Sequence, residues 1–438
     1  MKHWILLIWT LLLTAFSGVA QTRLTSLKQT LDLAKQNNLN LQSAQISEQL
    51  AKVDQLLSIS QVMPRLSAGG SFDYYTKMPA QVIPNKLFGG GEGYTKVAFG
   101  LPYVASGSLD YSWPLFQADK WAALKTTALK RKQAANNADL AWENVKISLI
   151  RLWYQTEMIQ QLMDLNLENQ KIANELKKAA ESKFKNDVSN PSEFNRSSVL
   201  VLGIEEALIA NRFALGNNYE AFKLLLHIPA SDSVFQQKPG KEIQTLQATE
   251  SLGKDADRPL LKLKTMAYEV SKSQYLERQL ARLPKLSIGG RYVYQAQDSK
   301  FFSNSTVSFD YSTIGLKLDF PIFQGGAIHL SGQAAKWQIR SAELEKEIAY
   351  DQLQKEHQDW SNELKQAIEK EAILKKKMEL AAENLRIALV RYQEGLMGID
   401  EYFNIFYENS TARINFWQNH YNGILYSNLL QLNSFENQ

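Results

Sequence analysis

Two periodicities alternate along the chain. From about Leu24 to Ser60 apolar residues recur at helical spacing, at Leu27, Leu31 and Ala34 and then at Leu50, Val53 and Leu57, and Pro259 to Leu283 repeats the pattern, which predicts amphipathic helices. Each run gives way to a period of two. Leu66, Ala68, Gly70, Phe72 and Tyr74 share one face, as do Ala105, Gly107, Leu109, Tyr111 and Trp113. Later in the chain Leu286, Ile288, Gly290, Tyr292 and Tyr294 alternate, followed by Ile314, Leu316, Leu318 and Phe320. The intervening positions carry Ser67, Ser71, Asp73, Ser106, Ser108, Asp110, Arg291, Gln295, Lys317 and Asp319. Four strands with one apolar and one polar face are therefore predicted. Lipid on one side and water on the other produce such alternation, and so does a half-buried soluble hairpin.

From Gln117 to about Lys185, and from Ala327 to about Glu394, nothing breaks a helix. At 1.5 Å per residue each stretch makes a helix about 100 Å long. No single compact core is that size, so these helices must pack along one another as a coiled coil. Shorter helices, Ser192 to His227 and Asp400 to Leu432, return alongside.

The pattern is a duplication. Met63-Pro64-Arg65-Leu66-Ser67-Ala68-Gly69-Gly70 recurs as Leu283-Pro284-Lys285-Leu286-Ser287-Ile288-Gly289-Gly290, and Trp113-Pro114-Leu115-Phe116-Gln117 as Phe320-Pro321-Ile322-Phe323-Gln324. Phe184 and Phe194 match Tyr392 and Tyr402 at almost the same offset as the second pair of motifs. Each half reads helix, strand, strand, long helix, helix. Pro64, Pro114, Pro284 and Pro321 are expected at the four strand–helix corners, where a residue of fixed φ and no N–H redirects the chain without breaking a ladder. Met78 to Pro102 reads as a long external loop. Its run Gly89-Gly90-Gly91-Glu92-Gly93 lacks the Gly-Lys-Ser/Thr ending of a phosphate loop.

The expected organisation is a signal peptide over 1–20, a first repeat over 21–227, an irregular linker over 228–257, a second repeat over 258–433 and a tail over 434–438. Strands are expected at about 65–77, 103–114, 285–296 and 307–320, with tip turns at about 186–191 and 395–399. The signal peptide rests on Lys2 and His3, the apolar run Trp4 to Leu13 and the small residues Gly18-Val19-Ala20. No cysteine follows, so lipid attachment there is excluded, and the exported chain carries no disulfide.

Composition adds exclusions. Of 438 residues 45% are hydrophobic and 21% charged, with a net charge of +4, so collagen-like, low-complexity and wholly disordered chains are excluded. A mean hydropathy of −0.31 excludes a polytopic helical membrane protein. The small, unclustered positive excess gives no reason to expect nucleic acid. Zero cysteines remove thiolate metal sites. The histidines His3, His227, His329, His357 and His420 are scattered, and no His-Glu-x-x-His or Gly-x-Ser-x-Gly occurs. No enzyme, cofactor or metal is expected.

After signal removal no apolar run is long enough for a transmembrane helix, so a membrane could be crossed only by strands. Strands cross lipid only as a closed barrel, and about eight is the smallest number that closes. Four per chain cannot close alone. Three chains would give twelve, and the same oligomer would give the long helices partners.

The sequence resembles the TolC family of outer-membrane efflux and secretion channels. The likeness covers the mature chain: signal peptide, duplicated halves, corner prolines, and hairpin tips with an aromatic residue, a short turn and an acidic residue resuming the helix. The tips read Lys183-Phe184-Lys185-Asn186-Asp187-Val188-Ser189-Asn190-Pro191-Ser192-Glu193-Phe194 and Arg391-Tyr392-Gln393-Glu394-Gly395-Leu396-Met397-Gly398-Ile399-Asp400-Glu401-Tyr402.

The resemblance implies a mainly α fold with a transmembrane β-barrel contribution. A homotrimer would close a twelve-stranded barrel in the outer membrane of a Gram-negative bacterium, with a coiled-coil tunnel in the periplasm. Its implied role is the passive exit duct of a tripartite efflux pump or a type I secretion system. The implied partners are outer-membrane lipid, a periplasmic adaptor (membrane fusion protein) and, through it, an inner-membrane RND or ABC transporter. Tyr392, Glu193, Ser192, Glu401 and Asp400 become candidates for the tunnel entrance, and Phe184, Asp187, Val188, Gly395, Leu396 and Met397 for adaptor docking.

Gly395 matches the family's turn glycine, and Asp187 stands at the equivalent place in the first tip. Met397 falls where some members place a latch arginine, which leaves closure to Tyr392, Glu193 and packing. Glu401 matches an acidic ring position that would favour cations; the helix dipole alone also accounts for first-turn acids at Glu193 and Glu401. The competing reading is a structural coiled-coil protein or a periplasmic adaptor. An adaptor needs one helical hairpin and separate β-domains, without the duplicated strand pairs.

Overall fold

The computed structural model describes residues 21–186, 190–238, 246, 257–301 and 306–432. The signal peptide, the tail and the tip residues Asp187 and Val188 lie outside them. No described helix is long and apolar enough to cross a membrane. The chain divides into two units, crossing between them at 47/48, 134/135, 263/264 and 346/347.

The elements follow in order β1 (Gln21–Leu24), α1 (Leu27–Asn37), α2 (Leu39–Ser60), β2 (Arg65–Tyr74), β3 (Ala80–Pro84), β4 (Tyr94–Ala98), β5 (Tyr103–Phe116), α3 (Ala118–Lys185), α4 (Pro191–Leu226), β6 (Ser233–Gln236), α5 (Pro259–Leu280), β7 (Lys285–Asp298), β8 (Val307–Asp319), α6 (Ala327–Gln393) and α7 (Ile399–Leu430). The two long helices are unbroken over 68 and 67 residues.

The sheet-bearing unit, residues 48–134 and 264–346, holds an antiparallel sheet of order β2-β5-β7-β8. Its register aligns the predicted apolar positions across strands: Leu66 faces Tyr111, which faces Gly290, which faces Ile314. The other face is polar and linked across strands. Arg291 pairs with Asp110 at 3.2 Å, and the hydroxyls of Ser71 and Ser106 lie 2.9 Å apart. Alternation is not uniform along β8. Toward its N-terminal end Ser308, Asp310 and Ser312 continue the face of Ile314, Leu316 and Leu318, while Val307, Phe309 and Tyr311 take the opposite face. Both outer strands, β2 and β8, have no partner along their outer edges among the described residues.

Three expectations are corrected. Pro114 lies inside β5, beside a register shift between Pro114 and Phe116, and not at a strand–helix junction. The ladder with β2 ends at Ser112, so at Pro114 the strand has a neighbour on one side only, where a missing N–H is tolerated. The other three corner prolines do stand between a helix and a strand. The stretch 78–102 is structured: β3 and β4 pair antiparallel, extending the β2–β5 ribbon, around a 3-10 turn at Asn85–Phe88. Gly89 ends that turn at φ 75°, a left-handed conformation open to glycine at no steric cost. The stretch 228–257 is not wholly irregular, because β6 pairs in parallel with β1 and so ties the start of the described chain to the segment between the repeats.

Among the described residues, the helical unit, which lies within 21–47, 135–263 and 347–432, has three apolar clusters. One joins Leu24, Leu31, Leu149, Trp153, Phe222 and Val234, so β1 and β6 are packed onto α1, α3 and α4. A second joins Ile150, Trp360, Leu364 and Leu429. The third lies at the hairpin tips. Arg258 pairs with Glu143 at 2.6 Å and Glu356 at 2.9 Å, and its guanidinium lies 5.5 Å from the centre of the Trp360 ring.

Candidate functional site

The tips bring together the ends of α3 and α4 with those of α6 and α7. Helix α6 ends in a left-handed turn: Gly395 has φ 74°, Leu396 N donates to Arg391 O at 2.8 Å and Gly395 N to Tyr392 O at 3.2 Å. This i→i−5 and i→i−3 pair satisfies the last carbonyls, and the glycine is required because an L side chain is strained there. Helix α4 starts at Pro191 with Asn190 as N-cap, its side chain accepting from Ser192 N. Gly398 caps α7 without a side-chain bond, and Asp400 and Glu401 occupy its first turn.

Behind these turns Leu176, Ala180, Leu200, Leu208, Tyr392 and Phe406 belong to one buried cluster. Tyr392 is 1% and Tyr402 0% exposed, their rings 5.7 Å apart, and neither hydroxyl has a partner among the described residues. Burial, and then the charge of Glu193, pushes the Tyr392 hydroxyl up to about 12. Burial also pushes Tyr402 up to about 12, with Glu175 and Tyr392 adding to it. Both phenols stay neutral at physiological pH.

Two cations of the first hairpin hold the second. Lys183 Nζ lies 4.1 Å from the Tyr392 ring centre and donates to Tyr392 O at 3.3 Å. Arg196 forms an ion pair with Asp400. Further along the same helices Arg413 reaches Glu168 at 2.6 Å and Asn169 donates to Ser410 Oγ at 3.1 Å.

Of the residues singled out from sequence, Tyr392 and Met397 are inside the tip core, and Ser192, Asp400, Glu401, Gly395 and Leu396 are at the surface. Glu193 is half-buried. Phe184 is partly exposed and stacks on Phe194, centroids 6.3 Å apart. Met397, at 8% exposure, fills the core, so its side chain is not offered to a docking partner. Sequence reasoning missed Lys183, Arg196 and Tyr402. The repeat match of Tyr402 to Phe194 carried a signal for the last, whereas nothing in one dimension marks which of many surface cations crosses to another hairpin.

Beside the tips an open groove of ≈ 650 Å³ is lined by Ile373, Lys376, Lys377, Leu380, Asn384 and Glu408. It follows an exposed heptad stripe, Ile373, Leu380 and Ile387 on α6. Among the described residues no group of three or more His, Cys, Asp or Glu side chains is placed to hold a metal ion.

No family model matches the sequence. Outer membrane protein TolC of Vibrio cholerae serotype O1 is 21% identical over 273 residues, a match covering 60% of this chain and 61% of that relative. A membrane protein from Pseudomonas aeruginosa has a TM-score of 0.78 at 15% identity, with 93% of each chain covered. The outer-membrane channel OprN gives 0.76 at 15% identity, over 94% of this chain and 90% of its own. This is the TolC-like channel fold. In TolC-like terms the sheet-bearing unit supplies this chain's four barrel-type strands, and the tips described above are the closed ends of its two long helical hairpins.

Proposed function

We propose that the protein is an outer-membrane channel-tunnel, the passive exit duct of a tripartite efflux pump or a type I secretion system, working as a homotrimer without catalysing a reaction. The observation that carries this reading is the four-stranded antiparallel sheet, apolar on one face over most of its length and, among the described residues, bare along both outer edges, borne by a chain whose long helix α6 exposes a heptad stripe. Such a sheet buries neither its edges nor its apolar face alone. Three copies pairing β8 of one chain with β2 of the next close twelve strands and remove every edge, and stripes such as Ile373, Leu380 and Ile387 then find helical partners.

In this reading the tips form the periplasmic entrance. Tyr392, gripped by Lys183, holds the second hairpin to the first, and Arg196 with Asp400 adds a surface link. Ser192, Glu193 and Glu401 stand in the first turns, where three copies of Glu401 would ring the opening. Phe184 and Leu396 are offered to a periplasmic adaptor, through which an inner-membrane RND or ABC transporter supplies energy and cargo. Gly395 shapes the docking turn.

Planar-bilayer recording of the detergent-purified protein tests the reading. Stepwise ohmic conductance from a trimer is expected. A folded oligomer without conductance, or a protein that is monomeric in detergent by native mass spectrometry, would overturn it.

A further inference from the structure

Where β6 meets α3, hydrogen-bond acceptors outnumber donors. Gln236, the last residue of β6, and Gln160 on α3 are each 5% exposed. The Gln236 amide donates from Nε2 to Trp153 O at 3.4 Å and to Glu157 Oε1 at 3.5 Å. The Gln160 amide donates from Nε2 to the Tyr219 hydroxyl at 3.2 Å and to Gln236 O at 3.4 Å. Each amide thus faces a backbone carbonyl, which can only accept, and that fixes which way round the amide sits. Their other ends, Gln160 Oε1 and Gln236 Oε1, are buried and have no partner among the described residues. A buried carbonyl without a donor is costly, and here two of them belong to amides that flank one carboxyl.

That carboxyl is Glu157, one helical turn from both Trp153 and Gln160. Burial, the larger influence, raises its pKa from 4.5 to about 7, against the opposing effect of a hydrogen bond from the Trp153 side chain. Its neighbours supply no counter-charge. On α3 the Tyr154 hydroxyl, and on α7 that of Tyr421, are pushed up by burial first and by the Glu157 charge after it, so both are neutral. Tyr219 on α4 is a phenol turned to Gln160. Just beyond β6, Lys238 is paired with Asp164 at 2.6 Å. Beside Tyr421, His420 is held by Glu371 at 2.8 Å. Ionised, Glu157 adds a charge to a pocket of unsatisfied acceptors; protonated, it brings a donor to that pocket.

We infer that Glu157 is a proton-operated clasp: neutral, it holds the end of β6, and with it the β1–β6 pair, against α3 and α7; ionised, it lets that pair open. The pair is built to respond. Its strands are four residues each and enter the core through Leu24 and Val234, so a modest change in free energy at Gln236 decides their opening. In the open pair Glu157 meets water and returns toward its ordinary value of 4.5. Between that value and about 7 the closed form alone holds the proton, so closure weakens as pH rises through this window and levels off above it. Because β6 lies in the segment joining the two repeats, the tie between the repeats becomes dependent on pH. The clasp sits about 40 Å along α3 from the tip end of that helix. It belongs to one chain and does not depend on the channel reading.

Hydrogen exchange of the purified full chain tests this, read by mass spectrometry on peptides covering 21–24 and 233–237 and corrected for the intrinsic pH dependence of exchange. Protection of both peptides should fall at least about tenfold from pH 5 to pH 7.5, within what one proton released over that window allows. Glu157→Gln, neutral at every pH, should keep the protection of the acid form throughout. Gln236→Leu should bring protection at pH 5 down toward the level at pH 7.5, and it decides the matter together with the parent's pH profile if Glu157→Gln fails to fold. Equal protection of the parent at both pH values, or a pH dependence that survives Glu157→Gln, would overturn the inference. So would protection at pH 7.5 restored to the acid level by added calcium or sodium chloride, which would make the pocket a cation site. None of these outcomes bears on conductance, so the channel reading stands or falls separately.

Discussion

Lys183 does two things to one partner, resting its ammonium over the Tyr392 ring and donating to the Tyr392 carbonyl. Replacing it with methionine keeps the stem and removes both, at a cost of about 1–2 kcal/mol to the tip. Single-channel recording of Lys183→Met should show a larger or noisier conductance than the parent, whereas Tyr392→Phe should change it little, because the lost hydroxyl has no partner among the described residues. A second residue-scale prediction concerns Glu157 on α3. Burial is the main cause that raises its pKa from 4.5 to about 7. Between those values the folded chain holds a proton that the unfolded chain has released, so stability falls as pH rises across that window. Glu157→Gln should flatten that slope by about 2–3 kcal/mol between pH 5 and pH 8, measured by denaturant unfolding. An unaltered slope would assign the pH dependence to other groups.

Elements are held by small, specific contacts. On α7 a Cβ at Gly423 would lie 2.5 Å from Leu246 Cδ1 and 3.2 Å from Ala367 Cβ, so the glycine is a socket for Leu246. Gly423→Ala should be near neutral, since the leucine tip can shift and helix propensity gains about 1 kcal/mol. Gly423→Leu should cost about 1–3 kcal/mol in the same unfolding assay through overpacking. At this scale much of the architecture was legible, because period two and period 3.6 are imposed by backbone geometry on any half-buried element. The exchange of faces along β8 was not, since Phe309 and Tyr311 look as strand-like as Leu316 on either face. The parallel pairing of β1 with β6 was also hidden: each is four residues long, too short for a period, and their register is set by Leu24 and Val234 entering one core. Within the tips the turn glycine and the acidic first turns were readable as helix punctuation, while the inward seat of Tyr392 was not, because a tyrosine suits a core and a surface equally.

For the whole molecule the charge at the entrance is the sharpest lever. In the proposed trimer three copies of Glu401 around one axis favour cations, so Glu401→Lys should move the reversal potential in a salt gradient toward anion preference; an unmoved potential would assign Glu401 only a helix-dipole role. The two bare edges of the sheet bear on a different matter, the order in which the protein is made. Among the described residues a lone chain presents two strands with open hydrogen-bonding rows beside a largely apolar face, and nothing in it covers them. In the proposed trimer, barrel closure is a meeting of chains and not a step within one, so the yield of heat-resistant trimer on refolding into detergent should rise more steeply than linearly with chain concentration. A chain kept too dilute would wait, unclosed and prone to aggregation, however stable its helices had already become.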